Sequence, residues 1–187
     1  MDELKDYSGE FNPHMRYEEF SKEALVKMLG VFSKLTMLMD GLWNTEVGKK
    51  LSVDEVYNIE EAVWLKLARY EREEIIKALN VQGNDVASFM KIQQWLATTF
   101  QGVYKYTIEL KNNNHGIVTI IDCPQLRYFE KKGDEAGMRK SCHEVEPLVW
   151  GRSAKLINPA IETKAIKLPP RKSADEIACQ FEFKLEK

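Results

Sequence analysis

The chain has 187 residues, 44% hydrophobic and 30% charged, with a net charge of −2. That is an ordinary soluble, globular composition, enough for one domain or one domain with a helical extension. It holds no apolar run near the roughly 18–20 residues of a membrane span, and its start is acidic and polar, unlike a signal peptide. These features predict a cytoplasmic protein that does not enter a membrane. Residues 1–100 carry 12 Lys+Arg against 17 Asp+Glu, and no basic stripe forms anywhere. This excludes nucleic acid as the expected partner. Three cysteines make no disulfide framework, and leave thiols, metal ligands or a nucleophile.

Residues 1–15 hold Gly9 and Pro13 and no period, which predicts an arm. Residues 16–101 read as a helical layer. The first helical pattern runs from about Glu18 to Leu42, with Phe20, Ala24, Met28, Val31/Phe32, Leu35 and Leu38/Met39 on one stripe. The second begins after Ser52, where Glu55 three residues on completes a capping box, and runs to about Leu79. Its apolar stripe is Val56, Ile59, Val63, Leu67 and Tyr70. The third starts at Asn84 or Asp85 and continues through Leu96 to Phe100.

In residues 102–187 the period changes from about 3.6 to 2. "VYKYTIEL" alternates, with Tyr104, Tyr106, Ile108 and Leu110 on one face, and "KNNNHG" reads as a hairpin turn with His115 solvated at its tip. "IVTIID" returns. "CPQLRYFEKKG" has Pro124 at the first helical position and Gly133 just past the end. "DEAGMRKSCHEVE" is a further helix that Pro147 should stop or kink. Two more strands follow, the last with Ile177, Cys179, Phe181, Phe183 and Leu185 inward. The expected fold is α+β: about three N-terminal helices packed on a C-terminal ββ-αα-ββ antiparallel sheet unit.

The candidate chemistry lies in this second half. Cys123 falls at the N-cap of a helix, where free N–H groups and the helix dipole favour thiolate; Asp122 opposes this. Cys142 shares a helical face with Glu146, whereas His143 lies about 100° round the helix from Cys142, which weakens their pairing. Cys179 alternates with core residues, so packing is its default role. Cys123, Cys142 and Cys179 could still converge and, with His143, Glu146 or water, satisfy a zinc or iron ion, although no CxxC pair specifies one. Arg152, Lys155, Arg171 and Lys172 stand near turns, and Arg152 or Arg171 could hold a carboxylate by bidentate pairing; a solvated face is the plainer role. The four tryptophans read as core. Walker, GxGxxG, HExxH and GxSxG motifs are absent.

The Cys-Pro after a strand, the second cysteine in the next helix, "NPAI" leading into a strand, "PP" at a turn and the cysteine two residues before "FEF" together give a resemblance. Over residues 103–187 the chain resembles the C-terminal region of the L-2-amino-thiazoline-4-carboxylate hydrolase-like family, especially a bacterial and archaeal branch of it. Some members carry a further cysteine before the double proline, where this chain has Leu168. The resemblance implies a pocket for a small anionic molecule and hydrolysis of a C–N or C–S bond. In a hydrolase Cys123, at its helix N-terminus, would be a nucleophile or a ligand, Cys142, His143 or Glu146 would handle protons, and Arg152 or Arg171 would anchor a carboxylate. The alternatives are a non-catalytic ligand-binding or sensor module with structural or metal-binding cysteines, and a homo-oligomer whose helical stripes pair.

Overall fold

The computed structural model describes residues 3–97 and 103–186. The helical first half comprises α1 (Lys22–Gly48), α2 (Val53–Leu79) and α3 (Val86–Gln93). Strands β1 (Lys105–Asn112) and β2 (His115–Asp122) follow. Helices α4 (Pro124–Lys132) and α5 (Glu135–Arg139), a π-helical stretch at Lys140–Val145 and helix α6 (Glu146–Lys155) lead to β3 (Ile161–Lys167) and β4 (Cys179–Leu185). The fold is the expected α+β arrangement. One four-stranded sheet has the order β1-β2-β4-β3, and every pairing is antiparallel.

Local chemistry sets the helix starts. The Ser21 hydroxyl accepts from the Ala24 N–H and the Asp85 carboxylate from the Ser88 N–H, each satisfying a donor with no helical partner. The Ser52–Glu55 capping box is complete: the Glu55 N–H donates to Ser52 Oγ at 3.4 Å, and the Ser52 N–H to Glu55 Oε2 at 2.9 Å. Gly133, with φ 64°, ends α4 in the left-handed region.

The sheet has one dry face and one wet face. Val118 and Ile120 of β2 stand opposite Phe181 and Cys179 of β4 on the dry face, with Phe183 and Ile161 beside them. Helix α3 covers this face with Val86, Phe89 and Met90, and α6 covers it with Ala154 and Trp150. The Phe89 and Phe183 rings lie 4.8 Å apart, and Trp150 stacks on Phe181 at 5.4 Å. On the wet face Gln180 donates to Thr119 Oγ1 at 2.8 Å. His115 Nε2 there lies 2.9 Å from Glu182 Oε1, so this histidine is paired across strands rather than merely solvated at a loop tip.

Three expectations need correction. Helix α3 ends at Gln93 and Leu96 is buried in a turn, so the helix does not run on through it; Phe100 lies outside the described residues. Pro147 does not stop the helix that precedes it. The π-helical stretch changes the hydrogen-bond register just before it, Pro147 falls in the first turn of α6, and the helix continues to Lys155. The apolar stripe of α1 does not face the core: Leu35 is 51% and Met39 65% exposed. Helix α1 instead turns Met37, Asp40 and Asn44 toward α2, where Asn44 donates to Glu60 Oε2 at 3.0 Å. Of the α2 stripe Val56 is buried, whereas Ile59, Val63 and Tyr70 are exposed, and the buried side runs on through Tyr57, Glu60, Ala68 and Arg72.

Candidate functional site

The buried side of α2 forms one wall of a cavity of about 100 Å³. Helix α1 contributes Met37 and Asp40, β1 is preceded by Tyr104, β2 gives Ile120, and β4 gives Cys179 and Phe181. Cys123 and Gln125 enter from the start of α4, and Cys142 and Glu146 from the π-helical stretch and the start of α6. Trp64, Trp150 and Val149 supply apolar surface. An adjoining outer cleft of about 420 Å³ shares Met37, Asp40 and Gln125 with the cavity and opens between α1 and α4.

The three cysteines do line one cavity, and all are free thiols. Among the described residues, however, no three His, Cys, Asp or Glu side chains form a group able to hold a metal ion. The zinc or iron set expected at Cys123, Cys142 and Cys179 is therefore not assembled. The thiolate expected at Cys123 is corrected too. Its Sγ does cap α4, accepting from the Leu126 N–H at 3.4 Å, and the Tyr104 hydroxyl donates to it. Burial, with Glu146 adding to it, outweighs these bonds and a further one from the Gln125 N–H, and pushes the thiol up to about 11. Burial also raises Cys142 and Cys179, with Glu146 adding to each shift.

The carboxylates are more responsive. Burial first, then Asp40 and Glu146, push Glu60 up to about 8, against the hydrogen bonds from Gln125 and Asn44. Burial pushes Glu146 up to about 7; the Trp150 indole N–H, which donates to it, opposes the shift. Asp40 is raised by burial against bonds from Trp43 and Trp64. At the other end of the cavity stands Arg72, 4% exposed. Its Nη1 donates to the Ala68 carbonyl at 2.7 Å, its guanidinium lies over the Phe89 ring at 5.8 Å, and its Nε has no hydrogen-bond partner among the described residues. Burial lowers its pKa to about 10, against the pull of Glu71.

The other candidates lie elsewhere. His143 Nε2 donates to the Pro169 carbonyl at 2.6 Å, tying the π-helical stretch to the β3–β4 connection, and does not line the cavity. Arg171 is spent on a bidentate pair with Glu130, at 2.7 and 2.8 Å, and a bond to the Ala174 carbonyl. Arg152, Lys155 and Lys172 are exposed and do not line the cavity. Among the described residues the cation lining the cavity is Arg72, which the sequence reading missed along with Asp40, Glu60 and Tyr104. A signal was present: Tyr57, Glu60, Trp64, Ala68 and Arg72 recur every three or four residues. They form a second helical stripe of α2 that carries two charges.

A family model described as "Family of unknown function (DUF6125)" matches residues 18–185, and the chain belongs to that family. No curated protein matches the chain. Among solved structures, it is similar to a trafficking protein particle complex subunit 3 from Naegleria fowleri covalently bound to palmitic acid. That match has 11% identity and a TM-score of 0.48, over 84% of this chain and 96% of that one. Among the described residues no helix is long and apolar enough to cross a membrane.

Proposed function

For this member of DUF6125 we propose a small-molecule-binding protein whose ligand carries a carboxylate for Arg72 and a hydrogen-bond-donating or cationic group for the acidic end of the cavity. Arg72 carries the reading. A guanidinium stays charged in a protein, and burying a charge with an unfilled donor is costly unless something accepts from it. A ligand carboxylate would complete its hydrogen bonds. Glu60 and Glu146 suit the other end, because carboxyl groups poised near neutrality can donate when protonated or accept when ionised. Trp64, Trp150 and Phe181 would cover the apolar body between. The outer cleft, which shares Met37, Asp40 and Gln125 with the cavity, is the natural entry. Three free thiols accord with the reducing cytoplasm.

The test is the thermal melt of the full chain with a panel of amino acids and short carboxylic acids. At least one should raise the melting temperature, by an amount that grows with concentration, as expected for a ligand of the folded state. Arg72→Met should remain folded and lose the response. A panel that never shifts the wild-type melt, or a shift that survives Arg72→Met, would overturn the reading.

Hydrolysis is the second reading, favoured by Cys123, Tyr104 and Glu146 lining the same cavity. Glu146, near 7, is matched to proton transfer at neutral pH. The Cys123 thiol would pass its proton to Glu146 in its ionised form and bond to the ligand's acyl carbon; the C–N or C–S bond there would break, its nitrogen or sulfur leaving with that proton, and water would then cleave the thioester to free a carboxylic acid and the thiol. Cys123→Ser should then abolish turnover of a stabilising ligand while the melt shift remains. Unchanged turnover would remove Cys123 from the chemistry, and a stabilising ligand that is never consumed would leave binding alone.

A further inference from the structure

Helix α1 is inside out. It is 27 residues long, about 40 Å at 1.5 Å per residue, yet within the chain it buries only Ala24 and Ser33. Its polar side, with Asp40 and Asn44, faces α2 and the cavity. At 100° per residue, Met28, Phe32, Leu35, Leu38, Met39 and Leu42 fall roughly opposite that side, and all six are exposed. From Met28 to Met39 the sole charged residue is Lys34. Met28, Leu35 and Leu42 recur at every seventh position, as do Val31 with Leu38 and Phe32 with Met39. That period keeps one seam of a helix against another helix. The exposed stripe of α2, Ile59, Val63 and Tyr70, adds to the apolar surface of the hairpin.

We infer that the outer face of α1, centred on Phe32, Leu35 and Leu38, is the contact between two copies of this chain. Three observations favour a second copy. The first is area. The seven large hydrophobic side chains exposed on this face of α1, the six above with Val31, each roughly half accessible, offer on the order of 700 Å², approaching the ~800 Å² that each partner gives a standard specific interface. The second is period: a heptad seam is self-complementary, as a two-fold contact requires. The third is polarity. A helix lying on a membrane keeps a charged face in water, whereas the polar face of α1 looks inward, onto α2 and the cavity.

The experiment is sedimentation of the full chain across micromolar concentrations. Wild type should run at twice the 21.7 kDa chain mass. Leu35→Glu and, separately, Phe32→Glu should halve the mass while circular dichroism keeps the wild-type helical signal. Ile166→Glu, at an exposed apolar position on β3, should leave the dimer intact. A wild-type monomer at the highest concentration would overturn the inference, and would do so equally if that monomer floated with phosphatidylcholine–phosphatidylserine vesicles, because lipid would then cover the face. A dimer persisting in both folded α1 variants would also overturn it. If one variant misfolds, the other decides.

Discussion

A carboxyl group that keeps its proton near neutral pH makes folding depend on pH in the opposite sense to most surface acids. Glu60 has a folded value of about 8 against about 4.3 for an unfolded glutamate. Between these values the folded chain holds a proton that the unfolded chain releases. The Glu60 contribution is therefore fully present below about pH 4 and is lost as pH rises toward 8. Glu60→Gln keeps the shape and removes the titration. Compared with wild type by urea unfolding, it should gain stability as pH rises from about 5 to 8, by up to about 1 kcal/mol per pH unit. Parallel pH profiles for the two proteins would mean that Glu60 is ionised in the fold. The thiols show the same competition resolved more strongly: the helix N-terminus at Cys123 acts in the expected direction, and burial exceeds it.

Among the elements, the seat of α3 on the sheet depends on one missing side chain. Gly116 of β2 lies beneath α3, and a Cβ there would meet Met90 Cε at 2.8 Å and Val86 Cγ1 at 3.2 Å. Met90 could swing aside, but Val86 is fully buried and branched. Gly116→Ala should cost about 1–3 kcal/mol, read by thermal or urea unfolding, and an unchanged stability would show that α3 can lift from the sheet. Most elements were legible in the sequence because their signals are local. The Ser52–Glu55 box, Pro124 with Gly133, and the alternation from Cys179 to Leu185 each act within a few residues. Pro147 misled because its effect depends on the helical geometry that precedes it, and the π-helical stretch at Lys140–Val145 has no comparable sequence mark. The extent of α3 misled for a similar reason: Leu96 fits the helical period, yet it is buried from a turn.

For the whole molecule, apolar period reveals that a face wants cover and leaves open what supplies it. The stripe of α1 was legible, and what it meets was not, because the cavity takes the polar side of that helix. The same ambiguity hid Arg72 and Glu60. They lie on a stripe of α2 that carries charges, beside a more apolar stripe that gives the stronger periodic signal. The cysteines were found as a set because Cys123, Cys142 and Cys179 come from elements that meet at one end of the sheet. His143, Arg152 and Arg171 were chosen by neighbourhood in the chain, and they reach Pro169, solvent and Glu130 instead. Helix α1 thus acts as a partition, with Met37 and Asp40 on its inner side and Leu35 and Met39 on its outer side. Anything that repositions such a partition is felt in both rooms. A guest that pulls it inward and a neighbour that grips it from outside would alter each other's binding constants by the same factor, whichever arrives first.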